Sequence, residues 1–498
     1  MHRVRLSLSI GLIFLFLVGC SSGPANNNAV TSSGIPVSLS MTDDPPSGVN
    51  VLFFQISLTA AALTPASGST PASLLPNNTP IEVDVTQLQA LAAFLSTANV
   101  PAATYNNLTL TFANPQLVIY NASDQSIASS CPVGTICQLT PQIDNSATLT
   151  FSSAPFPVTV TENSPVGFLL DFHLDQVIQS DLSVNLSVAN GVTVKQLPAT
   201  PPFGPPQFGF VFGAVQNVDA SQNQFTLQTR WGWTFTVDVN SSTSYENFPS
   251  SVCSASAFSC LASGQIVQVQ IASVQSDGSL LAASVSYVQA ASQQVVLGDV
   301  INLSTQNGNT VMTLLLRWSP NAGILPFGGM ASVTVPSTAP FSVDSGTFTV
   351  PSGLSFASTS DLLVGQEVQV GVAPGTLSNN AGGGPWSPPS VSFTASSVQL
   401  EPSQVTGTIT AIDTSNTSFT VQTFSNFGPP WTWNWTPTDV TVLTTSQTAY
   451  QDGNSSGFSG LTTNSVVSVG GWLFSTPNGA TPTTQLAKIV RERPNGFF

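Results

Sequence analysis

The second half of the chain repeats itself, and this repeat limits the fold more than any other feature. Gly213-Ala-Val-Gln-Asn-Val-Asp219-Ala-Ser221 runs on to Phe225-Thr-Leu-Gln-Thr229. Gly407-Thr-Ile-Thr-Ala-Ile-Asp413-Thr-Ser415 runs on to Phe419-Thr-Val-Gln-Thr423, with every apolar strand position kept. A weaker copy starts at Gly298, with Val300 and Leu303. A second motif, Leu261-Ala-Ser-Gly264-Gln265-Ile-Val-Gln-Val269, recurs as Leu362-Leu-Val-Gly365-Gln366-Glu-Val-Gln-Val370. It recurs loosely as Leu461-Thr-Thr-Asn464-Ser-Val-Val-Ser-Val469. Two motifs in the same order, at intervals of roughly a hundred residues, predict tandem units. We place them at residues 208–290, 293–401 and 402–498. Each unit reads as a strand, a turn at Asp-x-Ser, a second strand, a hairpin, the Leu-x-x-Gly-Gln turn and two closing strands. Short antiparallel strands in that number suit a small closed barrel, which hides its sheet edges.

Upstream, residues 36–197 show a period of two. Ile81, Val83 and Val85 alternate with Glu82 and Asp84, and Leu108, Leu110 and Phe112 alternate with threonines. Leu182, Val184, Leu186 and Val188 alternate with polar residues. Such alternation marks half-buried strands. Leu88, Leu91, Phe94 and Leu95 share a helical face between Thr86 and Thr97, which predicts one helix there, stopped by Pro101. The expected fold class is all-β: a β-sandwich with one short helix, then three barrel-like domains. Pro198, Pro201, Pro202, Pro205 and Pro206 make 198–207 a semi-rigid linker. The Gly/Pro-rich stretch from Ala373 to Ser390 reads as an exposed insertion in the middle unit.

Three family resemblances follow from these residues. The first unit, including Asp277-Gly278 and Leu281-Ala-Ala-Ser-Val285, resembles domain-of-unknown-function family 5666, known from exported bacterial proteins. The upstream region resembles domain-of-unknown-function family 4382, a bacterial lipoprotein domain. The matching residues are Thr42-Asp43-Asp44-Pro45, the strand Val51 to Leu58, Val100-Pro101-Ala102-Ala103-Thr104-Tyr105 and Leu169-Leu170-Asp171-Phe172-His173-Leu174. That family usually has Gly where this chain has Ala103, a substitution that strains a backbone of positive φ. Neither family has an established activity, so both imply a fold and a compartment without a chemistry.

The third resemblance lies at the start. His2, Arg3 and Arg5 precede an apolar run from Leu6 to Val18, which leads into Leu17-Val18-Gly19-Cys20 and a small, polar stretch. This resembles a bacterial lipoprotein signal peptide with its lipobox. The run is too short for a comfortable membrane span, which needs about twenty residues. The resemblance implies cleavage after residue 19, lipidation of Cys20 and a flexible lipidated tether over 20–35. Ser21 in place of Asp implies the outer membrane in an organism that has two membranes.

Composition agrees with export. Only 6% of residues are charged, and eight Lys and Arg against 23 Asp and Glu leave a net charge of −15. No basic patch exists to neutralise phosphates, so nucleic acid is excluded as an expected partner. Of five cysteines, the four besides Cys20 fall in two local pairs, Cys131 with Cys137 and Cys253 with Cys260. In an oxidising compartment these read as loop-closing disulfides. A four-cysteine zinc site is the rival reading, but its usual gaps of two to four residues are shorter than those found here.

Candidate chemistry is sparse. Asp171, His173 and Asp175 share a face if they lie on one strand; a polar outer face opposite Phe172 and Leu174 is the simpler reading, since no second His outside the signal segment, free Cys or HExxH helix completes a metal or catalytic site. Gly453-Asn454-Ser455-Ser456-Gly457 has the letters of a nucleophile elbow without its strand and helix. Asp43, Asp44, Asp84 and Asp144 are candidate calcium ligands without a loop spacing to support them. The most suggestive feature is aromatic: Trp231, Trp233 and Phe235 alternate, as do Trp431, Trp433 and Trp435, with Trp318 near the equivalent place. Such stripes either fill the barrels or offer a face for sugar rings. The expected function is a non-catalytic envelope lipoprotein for display, spacing or binding, held to the membrane by lipid and needing no cofactor. The alternatives are a glycan- or surface-binding adhesin that uses the Trp strands or contacts another envelope protein, and a carboxylate-dependent glycoside hydrolase.

Overall fold

The computed structural model describes residues 34–44, 51–75, 79–88, 92–121, 126, 131–162, 164–197, 209–229, 233–249, 253, 257–289, 294–319, 325, 328–346, 348–379, 391–423, 438–451, 457–475 and 483–493. Strands dominate them. The upstream region is built from two sheets. One carries Val192–Leu197, Val166–His173, Ile35–Asp44 and Ala93–Val100 in that spatial order. The other is centred on the long antiparallel pair Val51–Pro65 and Ala103–Tyr120. The alternating apolar residues meet between the sheets: Leu39, Phe54, Leu110, Phe112, Phe168 and Phe172 are buried in a single core. Phe112 and Phe172, from opposite sheets, make an edge-to-face pair at 5.5 Å. Each such side chain contributes about 1.5–3 kcal/mol through removal of apolar surface from water.

The helix expected between Thr86 and Thr97 does not form. Val85–Leu88 is one 3₁₀ turn, and Ala93–Val100 is a strand antiparallel to Ile35–Met41. Phe94 and Leu95 are both buried, so this strand is covered on two faces. A short apolar cluster satisfies a helical period and a doubly buried strand equally well, and here sheet pairing decides. The α-helix lies elsewhere, at Leu174–Val177. The alternation from Leu182 to Val188 is likewise not a strand: Leu182 has φ +67°, and only Val184 makes bridge contacts, to Ile143 and Ile178. Ala103 opens the strand Ala103–Tyr120 without positive φ, so the expected strain does not arise. Cys131–Cys137 and Cys253–Cys260 are both disulfides.

Beyond residue 209 each repeat unit closes a ring of five paired strands. In the first, Phe210–Asp219, Gln224–Gln228, Thr234–Asp238, Leu280–Gln289 and Ile266–Val274 pair in succession, and the last returns to the first. The third closes identically through Ser403–Asp413, Ser418–Thr423, Asp439–Leu443, Thr483–Arg493 and Val466–Phe474. The middle unit follows the same circuit through Val295–Gln306, Asn309–Trp318, Met330–Val335, Val391–Leu400 and Glu367–Val372. Of its expected insertion, Ser378–Asn379 pairs with Val391–Leu400, while 380–390 lies outside the described residues, as does the linker 198–207.

The repeat motifs now have physical reasons. Gly213, Gly298 and Gly407 open their units where the neighbouring strand passes too close for a side chain. A Cβ there would lie 2.6, 2.6 and 2.2 Å from the carbonyl oxygens of Gln228, Leu315 and Gln422. Gly264, Gly365 and Asn464 hold φ of +86°, +96° and +70°, and their N–H groups donate to Val215, Val300 and Ile409. The following Gln closes the turn. Gln265 accepts from Ala262 N–H and donates to the Cys260 carbonyl, and Gln366 does the same with Leu363 and Asp361. Asp219 and Asp413 accept from Ser221 and Ser415, through both backbone and hydroxyl, to shape the hairpin turns. Gly407→Ala is therefore expected to destabilise the protein by about 1–3 kcal/mol, the usual range for overpacking. Denaturant unfolding followed by fluorescence measures it, and an unchanged midpoint would refute the close-approach account.

Candidate functional site: a buried arginine and an interdomain cavity

The barrels are fastened to the sandwich and to each other. Phe210 continues the upstream sheet by pairing with Ala93, and its N–H donates to the Ala92 carbonyl. Leu52, Phe53 and Val118 of the sandwich pack with Ile301 and Leu315 of the middle barrel. Trp472 of the third barrel is fully buried in the core of the middle one, and its Nε1 donates to the Asp344 carbonyl at 2.8 Å.

At the centre lies Arg317, near the end of the strand Asn309–Trp318, with a side chain only 6% exposed. Its Nη1 donates to Asp84 Oδ2 at 2.8 Å and to Thr86 Oγ1 at 3.0 Å. Nη2 donates to the Leu52 carbonyl at 2.7 Å and to Asp299 Oδ2 at 2.5 Å, and Nε donates to the same carboxylate at 2.8 Å. The Gln87 amide, turned with its oxygen to Arg317 Nε, offers its nitrogen to Glu367 Oε2 at 3.3 Å. The guanidinium also sits 5.6 Å from the centre of the Phe53 ring. One cation of the middle barrel thus binds the sandwich through Asp84, Thr86, Gln87 and Leu52. Burial opposes its charge, but Asp299, Asp84 and Glu367 more than compensate and raise its pKa.

The carboxyls around it titrate upward. Asp299 and Glu367 are directly opposed across neighbouring strands, where like charges repel. Burial foremost, and then Asp299, push Glu367 up to about 8. Burial likewise raises Asp299 against the pull of Arg317. A second cluster joins Asp344 and Glu401: burial raises both, and Glu401 is also raised by the neighbouring Asp344, with which it shares a hydrogen bond. Lys488 lowers both members of this pair.

Between the sandwich and the three barrels opens a cavity of about 770 Å³, within the range of small-molecule sites. The sandwich contributes Asp84, Gln87 and Phe94, and the first barrel contributes Phe210, Phe212, Gln268 and Gln270. The middle barrel supplies Arg317, Trp318, Glu367 and Glu401, and the third supplies Gln404 and Lys488.

The sequence-derived candidates are not assembled here. His173 closes a strand whose two faces are both buried and is itself 6% exposed. Asp171 is also buried, beside Lys195 at 3.4 Å, and Asp175 has passed onto the short helix. The expected polar outer face is therefore wrong: the sandwich covers it, and Asp171 and His173 do not share it with Asp175. Asp84 serves Arg317, and Asp144 accepts from Ser183. No group of three or more His, Cys, Asp or Glu able to hold a metal occurs among the described residues. The side chains of Asp43 and Asp44, the stretch 452–456, and Trp231, Trp431, Trp433 and Trp435 lie outside the described residues. Trp233 is inside them and is 5% exposed beside buried Phe235, whose ring meets Phe94 edge-on at 5.7 Å. At these two positions the first stripe fills the barrel and its junction with the sandwich.

Sequence reasoning missed Arg317, Asp299 and Glu367. The signal was present: a cation directly after Leu314-Leu315-Leu316, in a chain with only eight Lys and Arg, has no reason to sit there unless it is paired.

Comparison with known families agrees with this anatomy. Residues 36–189 match the model of a domain of unknown function (DUF4382). Residues 212–286 and 406–473 match that of a second domain of unknown function (DUF5666). Among curated proteins, none matches the chain.

Two outcomes follow from the buried charges. Arg317→Met leaves Asp84 and Asp299 buried without their cation and is expected to cost about 3–5 kcal/mol, read from denaturant unfolding; a cost within error of zero would refute the lock. The folded pKa of Glu367 lies above its ordinary value, so its contribution is complete in acid and is lost as pH rises toward about 8. Asp299, Asp344 and Glu401 are raised too and act with the same sign. The melting temperature should therefore fall between about pH 5 and pH 9, and Glu367→Gln should flatten much of that fall. A melting temperature that rises over the same interval would contradict the assignment.

Proposed function

We propose that this chain is a lipid-anchored protein of the bacterial cell envelope that acts by binding rather than by catalysis. The observation that carries the binding part is the central cavity itself, walled by residues from all four β-domains. Of the charged groups that line it, Arg317 is committed to Asp84 and, outside the cavity lining, to Asp299, which leaves it the work of holding domains together. The envelope part rests on Leu17-Val18-Gly19-Cys20 and the neutral, Lys- and Arg-poor composition. Two short-range disulfides suit the same oxidising compartment. Several acyl chains on Cys20 would hold the protein stably, whereas one alone binds only marginally.

In this reading the protein is no string of independent spacers. The domains share core residues, and a buried ionic lock joins the sandwich to the middle barrel, so they present one compact body to whatever lies near the membrane. The carboxylate-dependent hydrolase is the weaker reading, since it needs a free acid and a free base, whereas Asp84 is held by Arg317, Glu367 faces the Gln87 amide and Glu401 shares a hydrogen bond with Asp344. Metabolic labelling with a radioactive fatty acid, followed by membrane fractionation, tests the anchor. The wild type should carry label and sediment with membranes, while Cys20→Ser should lose label and the membrane association. Retention of Cys20→Ser on membranes without label would refute lipid anchoring.

A further inference from the structure

One wall of the cavity has an order that packing alone does not require. On the outer face of the first barrel, Phe210 pairs with Gln270, and Gln270 with Ser284 on the next strand. One step along, Phe212 pairs with Gln268, and Gln268 with Ser286. Two parallel rows of ring, amide and hydroxyl therefore lie side by side on one sheet face. The pleat enforces this, because the intervening Val211, Val267, Val269 and Val285 point into the barrel and are buried. The six row residues are all half-buried, and all six line the cavity. Phe210 and Phe212 hold each other edge to face at 5.5 Å. Among the described residues, the side chains of Gln268 and Gln270 form no hydrogen bond, although each carries two donors and an acceptor. Trp318, next to Arg317 in the chain, lines the same cavity.

We propose that this wall binds a short neutral saccharide inside the cavity. The inference rests on the reading of the chain as a binding protein and names its ligand class. The two amides can both donate to and accept from sugar hydroxyls, and the Ser286 hydroxyl, which itself donates to Glu246 Oε2 at 3.1 Å, can accept from one. The Phe210 and Phe212 rings offer apolar surface for the C–H faces of the sugar, and Trp318 lines the same cavity. For an anionic ligand, Arg317 is already taken by Asp84 and Asp299, and Lys488 is drawn to the Asp344–Glu401 pair. A cationic ligand would find Asp84 already taken by Arg317, and Glu401 bonded to Asp344 with Lys488 beside it. A volume of about 770 Å³ suits an oligosaccharide of a few units rather than a single ion.

The test uses the full-length protein, purified in a zwitterionic detergent that carries no sugar headgroup. Maltotriose, cellotriose and chitotriose serve as probes, read by saturation-transfer NMR and titration calorimetry. At least one should bind with a Kd below about 1 mM. Gln268→Ala combined with Gln270→Ala should weaken that binding at least about tenfold while leaving the melting temperature unchanged, since neither amide is bonded within the fold. Phe212→Ala should weaken it as well. Absence of binding by all three probes overturns the proposal, as does binding that survives the glutamine variants. Binding lost instead in Trp431→Ala with Trp433→Ala would place the sugar on the third-unit Trp strand, overturning the cavity site while keeping the binding-protein reading. Hydrolysis of a bound trisaccharide would do the reverse, retaining the cavity and overturning the non-catalytic reading.

Discussion

The fold depends on a single buried guanidinium. Arg317 donates to acceptors on the sandwich and on its own barrel, and it could not remain buried without both. An uncompensated ion in such a site would cost several kcal/mol. The guanidinium suits the task because its donors are fixed in a planar fork and its charge persists at any ordinary pH. The lock therefore specifies relative placement: only one arrangement of sandwich and middle barrel brings Asp84, Thr86 and the Leu52 carbonyl to those donors. Apolar contacts such as Phe53 against Leu315 supply area, and the ion pairs supply register.

This lock also explains an oddity of the middle barrel. It carries Asp299 and Glu367 directly opposite each other inside a sheet, where either would ordinarily be excluded. Arg317 holds the first, and an elevated pKa lets the second stay protonated near neutrality. The unit that departs furthest from the repeat pattern thus carries the charged junction with the sandwich. Its divergence reflects the needs of the junction, while its strand circuit is the same as that of its neighbours.

The cavity follows from the same geometry. Barrels present alternating side chains inward and outward, and their outward residues normally meet water. Here a sandwich and two further barrels face the outer wall of the first barrel, so Phe210, Phe212 and their glutamine partners enclose space instead. The site is a product of assembly, and no single domain contains it. Neutral polar residues line much of it because the whole chain uses Ser, Thr, Asn and Gln where other proteins use charge.

Much of the local structure was legible in the sequence alone. Period-two alternation and the recurring Gly, Asp-x-Ser and Gly-Gln motifs determined the strands, turns and unit count, because those motifs answer to contacts within one unit. Gly407 must lack a side chain whatever surrounds the barrel, and Gln265 closes its own turn. The two disulfides were legible for the same reason, each closing a short loop. Where the outcome depended on partners distant in sequence, the chain gave no unique answer. Leu88 to Leu95 satisfied a helical period, and only pairing with Ile35–Met41 made a strand of its second half. Asp171 and His173 looked like a polar surface until a second sheet and the strand Val192–Leu197 covered them. Asp84 is 233 residues from Arg317, and no periodicity connects two such positions. Local sequence set the elements because backbone geometry is a short-range constraint. Tertiary structure alone decided the lock and the cavity, because buried charge and enclosed volume exist only once separate elements meet.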